Sequence, residues 1–401
     1  MDRTIRGRGL AFLALTAALG LAACEAPTTT VAPDEFTDPS AAFAAARHGS
    51  ADGESLRLFT RNMYMGADDS PIFEVDFSDF AAVAAAAQTF WSAVQATDVQ
   101  ERAMAIAAEV AMTDPHVIGL QEAAQHVVLG FNPQAPPTYF TPVAVQDFVM
   151  AMQAALGAAG LDYTLMGVQE NTQALFPLAL NPDIPGGIAQ LLRVTLREAT
   201  FVRSDLVSVA SFMSGNYAAT FDVGPVTLKR GWSKVKLELG GPPIHVINTH
   251  LEGQSLEPIQ LLQTGELIQF TEGLDGTVII MGDLNSDANG EEGETAWTPT
   301  YGMLTDAGFV DAWTRSTGPR GPGFTCCHEK DLVNAVVDFD ERIDLVLFRT
   351  GHPDSDGKPL PGRVDMEVLG DELGNQTASG LWPADHGALF AAFRLPRGLY
   401  R

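Results

Sequence analysis

Cysteine is nearly missing from this chain, with three in 401 residues, at positions 24, 326 and 327. Cys326 and Cys327 have only His328 beside them, which falls short of the four ligands of a structural zinc cluster. Neighbouring Cα atoms stand about 3.8 Å apart, closer than most disulfides allow. The pair therefore reads either as two partly buried thiols or as a strained vicinal bond. Cations are the second shortage, with 24 Lys and Arg against 50 Asp and Glu and a formal charge of −26. Phosphate contacts are made by Lys and Arg, so this balance opposes non-specific binding to a polyanion and weighs against long nucleic acid as substrate. It does not exclude a nuclease, because a bound divalent cation changes the local field. No internal repeat is visible, which leaves a solenoid without support.

What is present is apolar residue and turn former. Hydrophobic residues make up 46%, and 38 Gly and 24 Pro punctuate them. That suffices for the core of one large α/β domain or two ordinary ones.

The start reads as a targeting segment. Arg3, Arg6 and Arg8 precede an apolar Ala/Leu-rich run over residues 9–23, short for a membrane span but suited to a signal peptide. It ends in Leu21-Ala22-Ala23-Cys24, which resembles a bacterial lipobox with Cys24 as the lipidated residue. Residues 1–23 are thus expected to be a lipoprotein signal peptide. Residues 24–53, rich in Ala, Pro, Thr and Asp, are expected to be the lipidated Cys and a flexible tether, and residues 54–401 the folded domain. The expected location is the cell envelope, with the protein, a monomer, held at the membrane by its lipid.

Within the domain, Leu56 to Thr60 alternates as a strand does, with Asn62 just beyond it. Residues 80–110 read as helical. Residues 116–120 form a short apolar strand that delivers Gln121 and Glu122. Residues 143–156 read as a second helix, and 176–187, with Pro177, Pro182, Pro185, Gly186 and Gly187, as a loop. Strand patterns follow at 201–202, 207–210, 226–239 and 244–248, the last ending at His250. A helix is expected over 256–270. Strands over 277–281, 343–348 and 388–395 carry Asp283 and Asn285, Asp344, and Asp385-His386 at their ends. Polar groups able to bind metal or phosphate thus recur at the ends of apolar strands, the usual place for catalytic groups.

Hydrolysis of a phosphoester needs a hard cation to neutralise the phosphate oxygens and a base to take a proton from water. Glu122, Asp283 and Asp385 can supply carboxylates, and Asn62 and Asn285 amides that add no negative charge; Mg²⁺ (or Mn²⁺) suits such oxygen ligands. His386 can act as base with Asp344 orienting its ring. His250 and Arg230 can reach a phosphate oxygen. Each has a plain structural alternative, such as a turn at Gly282-Asp283-Leu284-Asn285 or a cap at Glu122.

Taken in order, these pieces resemble the endonuclease/exonuclease/phosphatase superfamily over about residues 55–395. They are Thr60-Arg61-Asn62-Met63-Tyr64-Met65-Gly66, Asp114 to Glu122, Ile247-Asn248-Thr249-His250-Leu251, Met281-Gly282-Asp283-Leu284-Asn285, Arg342-Ile343-Asp344-Leu345-Val346 and Ala384-Asp385-His386-Gly387. The resemblance implies an α/β fold, a four-layer α/β/β/α sandwich with two face-to-face mixed β-sheets flanked by helices. It implies Glu122 as main metal ligand with Asn62 and Asp385 beside it. Asp283 and Asn285 would contact nucleophile, phosphate or metal, and His386 would pair with Asp344. A histidine at the His250 position is shared with deoxyribonuclease I-like enzymes and neutral sphingomyelinases. The expected activity is metal-dependent hydrolysis of a phosphoester, whether lipid headgroup, small phosphodiester or nucleic acid, with a non-catalytic surface binding protein as the alternative. The chain departs from the family in the long Ala-rich interval between Asn62 and Glu122. Arg230 is the candidate for the family's middle arginine, with Arg203 behind it.

Overall fold

The structure, a computed structural model, describes residues 55–317, 321–350 and 363–395. The expected signal segment, Cys24 and the tether lie outside the described residues. Sixteen strands run in chain order as β1 (Ser55–Asn62), β2 (Val117–Gln121), β3 (Gln125–Phe131), β4 (Phe140–Asp147), β5 (Tyr163–Leu180), β6 (Ile188–Arg203), β7 (Ala210–Asn216), β8 (Phe221–Val223), β9 (Val226–Leu228), β10 (Gly231–Leu237), β11 (Ile244–His250), β12 (Thr277–Asp283), β13 (Val310–Asp311), β14 (Asp344–Thr350), β15 (Val364–Leu369) and β16 (Ala388–Arg394). The helices are α1 (Ser70–Phe73), α2 (Phe80–Ala96), α3 (Val99–Thr113), α4 (Phe148–Ala158), α5 (Glu257–Glu272), α6 (Thr300–Asp306) and α7 (Ala312–Arg315). One mixed sheet has the order β15-β16-β1-β2-β6-β3-β4, with β5 paired to β6; the other has the order β13-β14-β12-β11-β10-β7.

Period-two alternation sorts the side chains into layers. On β12, Ile279 and Met281 join a core shared with Leu56 and Leu58 of β1, while Val278 and Ile280 join a different core with Leu267 of α5 and Leu304 of α6. On β14, Val346 and Phe348 belong to the first of these cores and Leu345 and Leu347 to the second. Phe59 of β1 and Ile118 of β2 turn the other way, onto α2, α3 and α4. The fold is therefore helices, sheet, sheet, helices, the four-layer sandwich expected. Both sheets are covered on both faces, which is why β2, β11 and β12 are buried throughout. Gly119 on β2 lets the sheets approach closely: a Cβ there would meet Met281 Cε at 2.6 Å and Asn248 Oδ1 at 2.7 Å. No helix among the described residues is long and apolar enough to cross a membrane.

Three local expectations are corrected. The helical run over 80–110 is two helices, because Asp98 accepts from the backbone N–H of Gln100 and Glu101 and so starts α3 anew. Residues 143–147 belong to β4, where Val143 and Val145 favour strand, and Asp147 caps α4 through the N–H of Met150. The first part of 176–187 is not loop: β5 runs to Leu180, and only 181–187 turn. Pro177 is tolerated because β5 pairs only with β6 and its register shifts beside that residue.

Two predictions follow from packing. Gly119→Val should cost about 1–3 kcal/mol by forcing the sheets apart, read as a lower urea midpoint; an unchanged midpoint would show that the gap tolerates bulk. The second concerns His126, wholly buried among Phe90, Trp91 and Phe148 with no hydrogen-bond partner on either ring nitrogen among the described residues. Burial pushes its imidazole down to about 3, against about 6.5 in an unfolded chain. A folded value below the unfolded one gives stability that is present above about pH 6.5 and lost as pH falls toward about 3. His126→Phe should flatten the loss of stability across that window, and parallel curves for parent and variant would contradict it.

Candidate active site

Strand register brings the predicted residues together. Asp283 on β12 pairs with His250 on β11 and with Asp344 on β14. All three share the parity of Val246, Met281 and Val346, so they stand side by side facing the opposite sheet. Asn62, at the end of β1 with the parity of Leu56 and Leu58, faces them and donates from Nδ2 to Asp283 Oδ2 at 3.0 Å. Behind this row the space between the sheets is polar: Gln121 Nε2 donates to Thr60 Oγ1 at 2.9 Å and to Asn248 Oδ1. The apolar core thus gives way to a hydrogen-bonded layer and then to an open cavity of about 280 Å³ lined by Asn62, Glu122, Arg230, His250, Asp283, Asn285, Asp385 and His386.

The loops that complete the row are tightly held. Tyr64, Glu122 and Asn285 have φ of 55°, 51° and 49°, a left-handed conformation that costs a non-glycine residue energy and turns each off its strand end. Glu122 Oε2 accepts from the N–H of Met65 at 2.7 Å, and Asp283 Oδ1 accepts from the N–H of Asn285 at 2.9 Å. Arg102 of α3, fully buried, donates to the carbonyls of Met63 (2.5 Å), Tyr64 (3.2 Å) and Pro383 (3.1 Å). Arg61 donates to the carbonyl of His386 at 3.0 Å and pairs with Glu109 of α3 at 2.7 Å. The Ala-rich interval therefore clamps the Asp385-His386 loop from below.

His386 Nδ1 lies 2.8 Å from Asp344 Oδ2, while Nε2 lies 3.9 Å from Asp283 Oδ2 and 4.0 Å from Asp385 Oδ1. Burial draws this imidazole down, but Asp344, Asp385 and Asp283 outweigh it and hold the group well above its ordinary range. Burial raises the Asp283 carboxyl, opposed by His386. His250 is held neutral by burial and by the charges of Arg230 and His386; its ring meets Arg230 Nη1 at 3.1 Å and Asn285 Nδ2 at 3.0 Å.

Arg230 thus stands in the cavity, anchored to buried Glu252 at 2.9 Å. Arg203 does not: it pairs with Asp114 and Asp205, away from the cavity. Two residues escaped sequence reasoning. Glu252 follows His250 by two positions and could have been suspected as the partner of Arg230. Lys330 gave no signal, because it lies in an irregular segment. Its Nζ is 3.3 Å from Asp385 Oδ2; burial draws the ammonium down, but Asp385, Glu122 and Asp68 outweigh it and hold it above the ordinary lysine value. Cys326 and Cys327, left open between thiols and a vicinal bond, are joined to each other, with Cys326 Sγ 3.8 Å from His386 Nε2.

No family model and no curated protein matches this chain. Among solved structures, an endonuclease/exonuclease/phosphatase family protein from Leptotrichia buccalis C-1013-b is similar at 15% identity, covering 85% of this chain and 100% of that one, with a TM-score of 0.49. A family protein of the same description from Bacteroides thetaiotaomicron is similar at 14%, covering 88% and 99%, with a TM-score of 0.48. A humanised D. rerio TDP2 carrying 14 mutations is similar at 15%, covering 85% and 99%, with a TM-score of 0.45. The layered fold stands on strand pairing and on the sorting of side chains, independently of these likenesses.

The donor set suits a hard divalent cation. Glu122 and Asp385 face one cavity, and Asp385 Oδ1 is buried with no hydrogen-bond donor among the described residues. Asp283, Asp344 and His386 also lie close enough to share an ion, but the His386–Asp344 hydrogen bond occupies the ring's Nδ1. Calorimetric titration separates the two: Glu122→Gln or Asp385→Asn should weaken Mn²⁺ binding by roughly tenfold or more, and Asp344→Asn should weaken it less. Loss of binding in Asp344→Asn alone would move the ion to the other group.

Proposed function

We propose that this chain is a divalent-metal-dependent phosphoester hydrolase of the endonuclease/exonuclease/phosphatase superfamily. The observation that carries the reading is the row His250, Asp283 and Asp344 on one sheet, met by Asn62 from the other and closed by the paired His386. Glu122, Asp385 and Asn62 would hold Mg²⁺ or Mn²⁺. Such an ion supplies charge neutralisation of the phosphate oxygens and the leaving group. Arg230, neutral His250 and Asn285 supply the donors that bind the remaining phosphate oxygens. Asp283 Oδ2 and His386 Nε2 border the space between them, where a water would be oriented for attack.

His386 takes the water's proton as general base in this reading, with Asp344 stabilising the imidazolium that results. One observation favours a second assignment. Three carboxylates hold His386 protonated, and burial raises Asp283, so Asp283 can accept the proton while His386 donates to a phosphate oxygen. Replacement separates them: the residue that acts as base takes the acidic limb of the kcat profile with it.

We further propose that the enzyme works at the cell envelope, tethered through Cys24, on the evidence of the lipobox-like start alone. The full chain should hydrolyse bis(4-nitrophenyl) phosphate with Mg²⁺ or Mn²⁺ and lose activity in EDTA. His386→Ala should lower kcat by about 10²–10⁴-fold. Metal-independent turnover, or full activity in that variant, would sink the mechanism; a folded protein that neither turns over nor binds Mg²⁺ would revive the binding-protein alternative. Parallel assays on plasmid DNA and sphingomyelin vesicles separate nuclease from lipid phosphodiesterase.

A further inference from the structure

Beside the active-site cavity lies a second one, of about 340 Å³, and its character is opposite. Its walls come from the Ala-rich interval that sets this chain apart. Ala86, Phe90 and Ala93 of α2 lie at helical spacing on one face, and Ile72 of α1 closes the floor. Alanine at 86 and 93 leaves the space that larger side chains would fill. Charged groups stand at the rim, and two of them, Asp68 and Lys330, line the active-site cavity as well. The two cavities therefore adjoin across Asp68 and Lys330. Lys330 is fixed at this boundary: its backbone carbonyl accepts from the Tyr64 hydroxyl at 2.8 Å and its ammonium pairs with Asp385.

Resting on the phosphoesterase reading, we infer that the apolar cavity receives one ester substituent of the substrate, and that this substituent is an uncharged alkyl or aryl group. The active-site cavity that would hold the phosphate opens to the apolar one at Asp68 and Lys330, so a substituent turned that way leaves water for an apolar wall. A further nucleotide does not suit the place. Its next phosphate would meet Asp68 and Asp331 at the rim, with Lys330 as the one cation among the described residues that line the cavity. The substrate class is thus an amphiphilic phosphoester, supplied either by a membrane lipid or by a soluble alkyl or aryl ester.

The full chain, assayed with Mn²⁺ on methyl, butyl and octyl 4-nitrophenyl phosphate below their aggregation limits, should show kcat/KM rising at least about tenfold from methyl to octyl. Ala93→Phe, which fills the cavity, should abolish the rise while leaving the methyl ester within about twofold. Ala86→Leu, a smaller change, should reduce it and guards against misfolding of the first variant. A flat profile in the parent, with the methyl ester cleaved, overturns the inference and leaves the phosphoesterase reading intact; so does an undiminished rise in both variants. If no ester is cleaved, that reading has failed and the cavity is judged by calorimetry. Octyl phosphate should then bind the parent at least tenfold tighter than ethyl phosphate, and Ala93→Phe should remove the difference; equal binding in the parent overturns the inference. Cleavage of phosphatidylcholine vesicles by the parent and not by Ala93→Phe assigns the source to membrane lipid, and cleavage of soluble esters alone assigns it to a soluble compound.

Discussion

Asn62 and Asp283 meet across the gap between two sheets, and the rest of the site depends on where that gap turns polar. Along most of their length the sheets are held together by Leu56, Leu58, Val246, Ile279, Met281 and Val346. At the strand ends the same parity carries Asn62, His250, Asp283 and Asp344. Because side chains alternate with period two, slipping any of these strands by one residue would send its functional group to the helix side. Burial of the apolar members therefore fixes the register of the polar ones. The row needs no contribution from loop flexibility; it is a consequence of packing the layer behind it.

Placing so many carboxylates between sheets has an electrostatic cost that the surroundings offset unevenly. Asp344 has His386, Asp283 has Asn62 and the N–H of Asn285, and Asp385 has Lys330. Asp344 Oδ1 and Asp385 Oδ1 remain buried without a donor among the described residues. Unpaired buried carboxylate oxygens are expensive in a native protein, and for Asp385, which lines the cavity open to solvent, a divalent cation is a partner that the cavity can supply. The same charges bear on substrate choice. Arg230 and Lys330 sit inside the cavity within a chain of net charge −26, so attraction for phosphate is local and weak for a long polyanion.

Legibility from sequence tracks how the residues are held. Strands buried on both faces announce themselves as apolar runs, and Asp283, His250 and Asp344 were readable because they end such runs. Glu122 and Asn285 were readable from their motifs, but not their left-handed backbone, which only the turn off the strand imposes. The hairpin of β5 and β6 was missed because prolines dominate its local signal, whereas pairing with a single neighbour decides that Pro177 is tolerated. Strand β4 was missed because alanines and methionines beyond it extend a helical pattern backward over Val143 and Val145. Lys330 was beyond reach: nothing local marks a lysine in irregular chain, and its meaning comes from Asp385, 55 residues away.

The Ala-rich interval was read as an insert of no stated role, and its composition now has a physical explanation in two parts. Helix α3 must hold Arg102 and Glu109 among backbone carbonyls and Arg61, all fully or almost fully buried. Two guanidinium groups at that depth need carbonyls and a carboxylate close by, which Thr97, Met63, Tyr64 and Pro383 give Arg102 and Glu109 and His386 give Arg61, and this demands a helix packed close to the strand ends. Alanine allows that approach. Helix α2, free of that demand, keeps Ala86 and Ala93 where the chain could have carried leucine at no cost in helix propensity worth counting. Small residues there forgo apolar burial that larger ones would gain. Of the interval's two long helices, α3 holds the Asp385-His386 loop through Arg102 and the Arg61–Glu109 pair, and α2 leaves the apolar hollow beside the site.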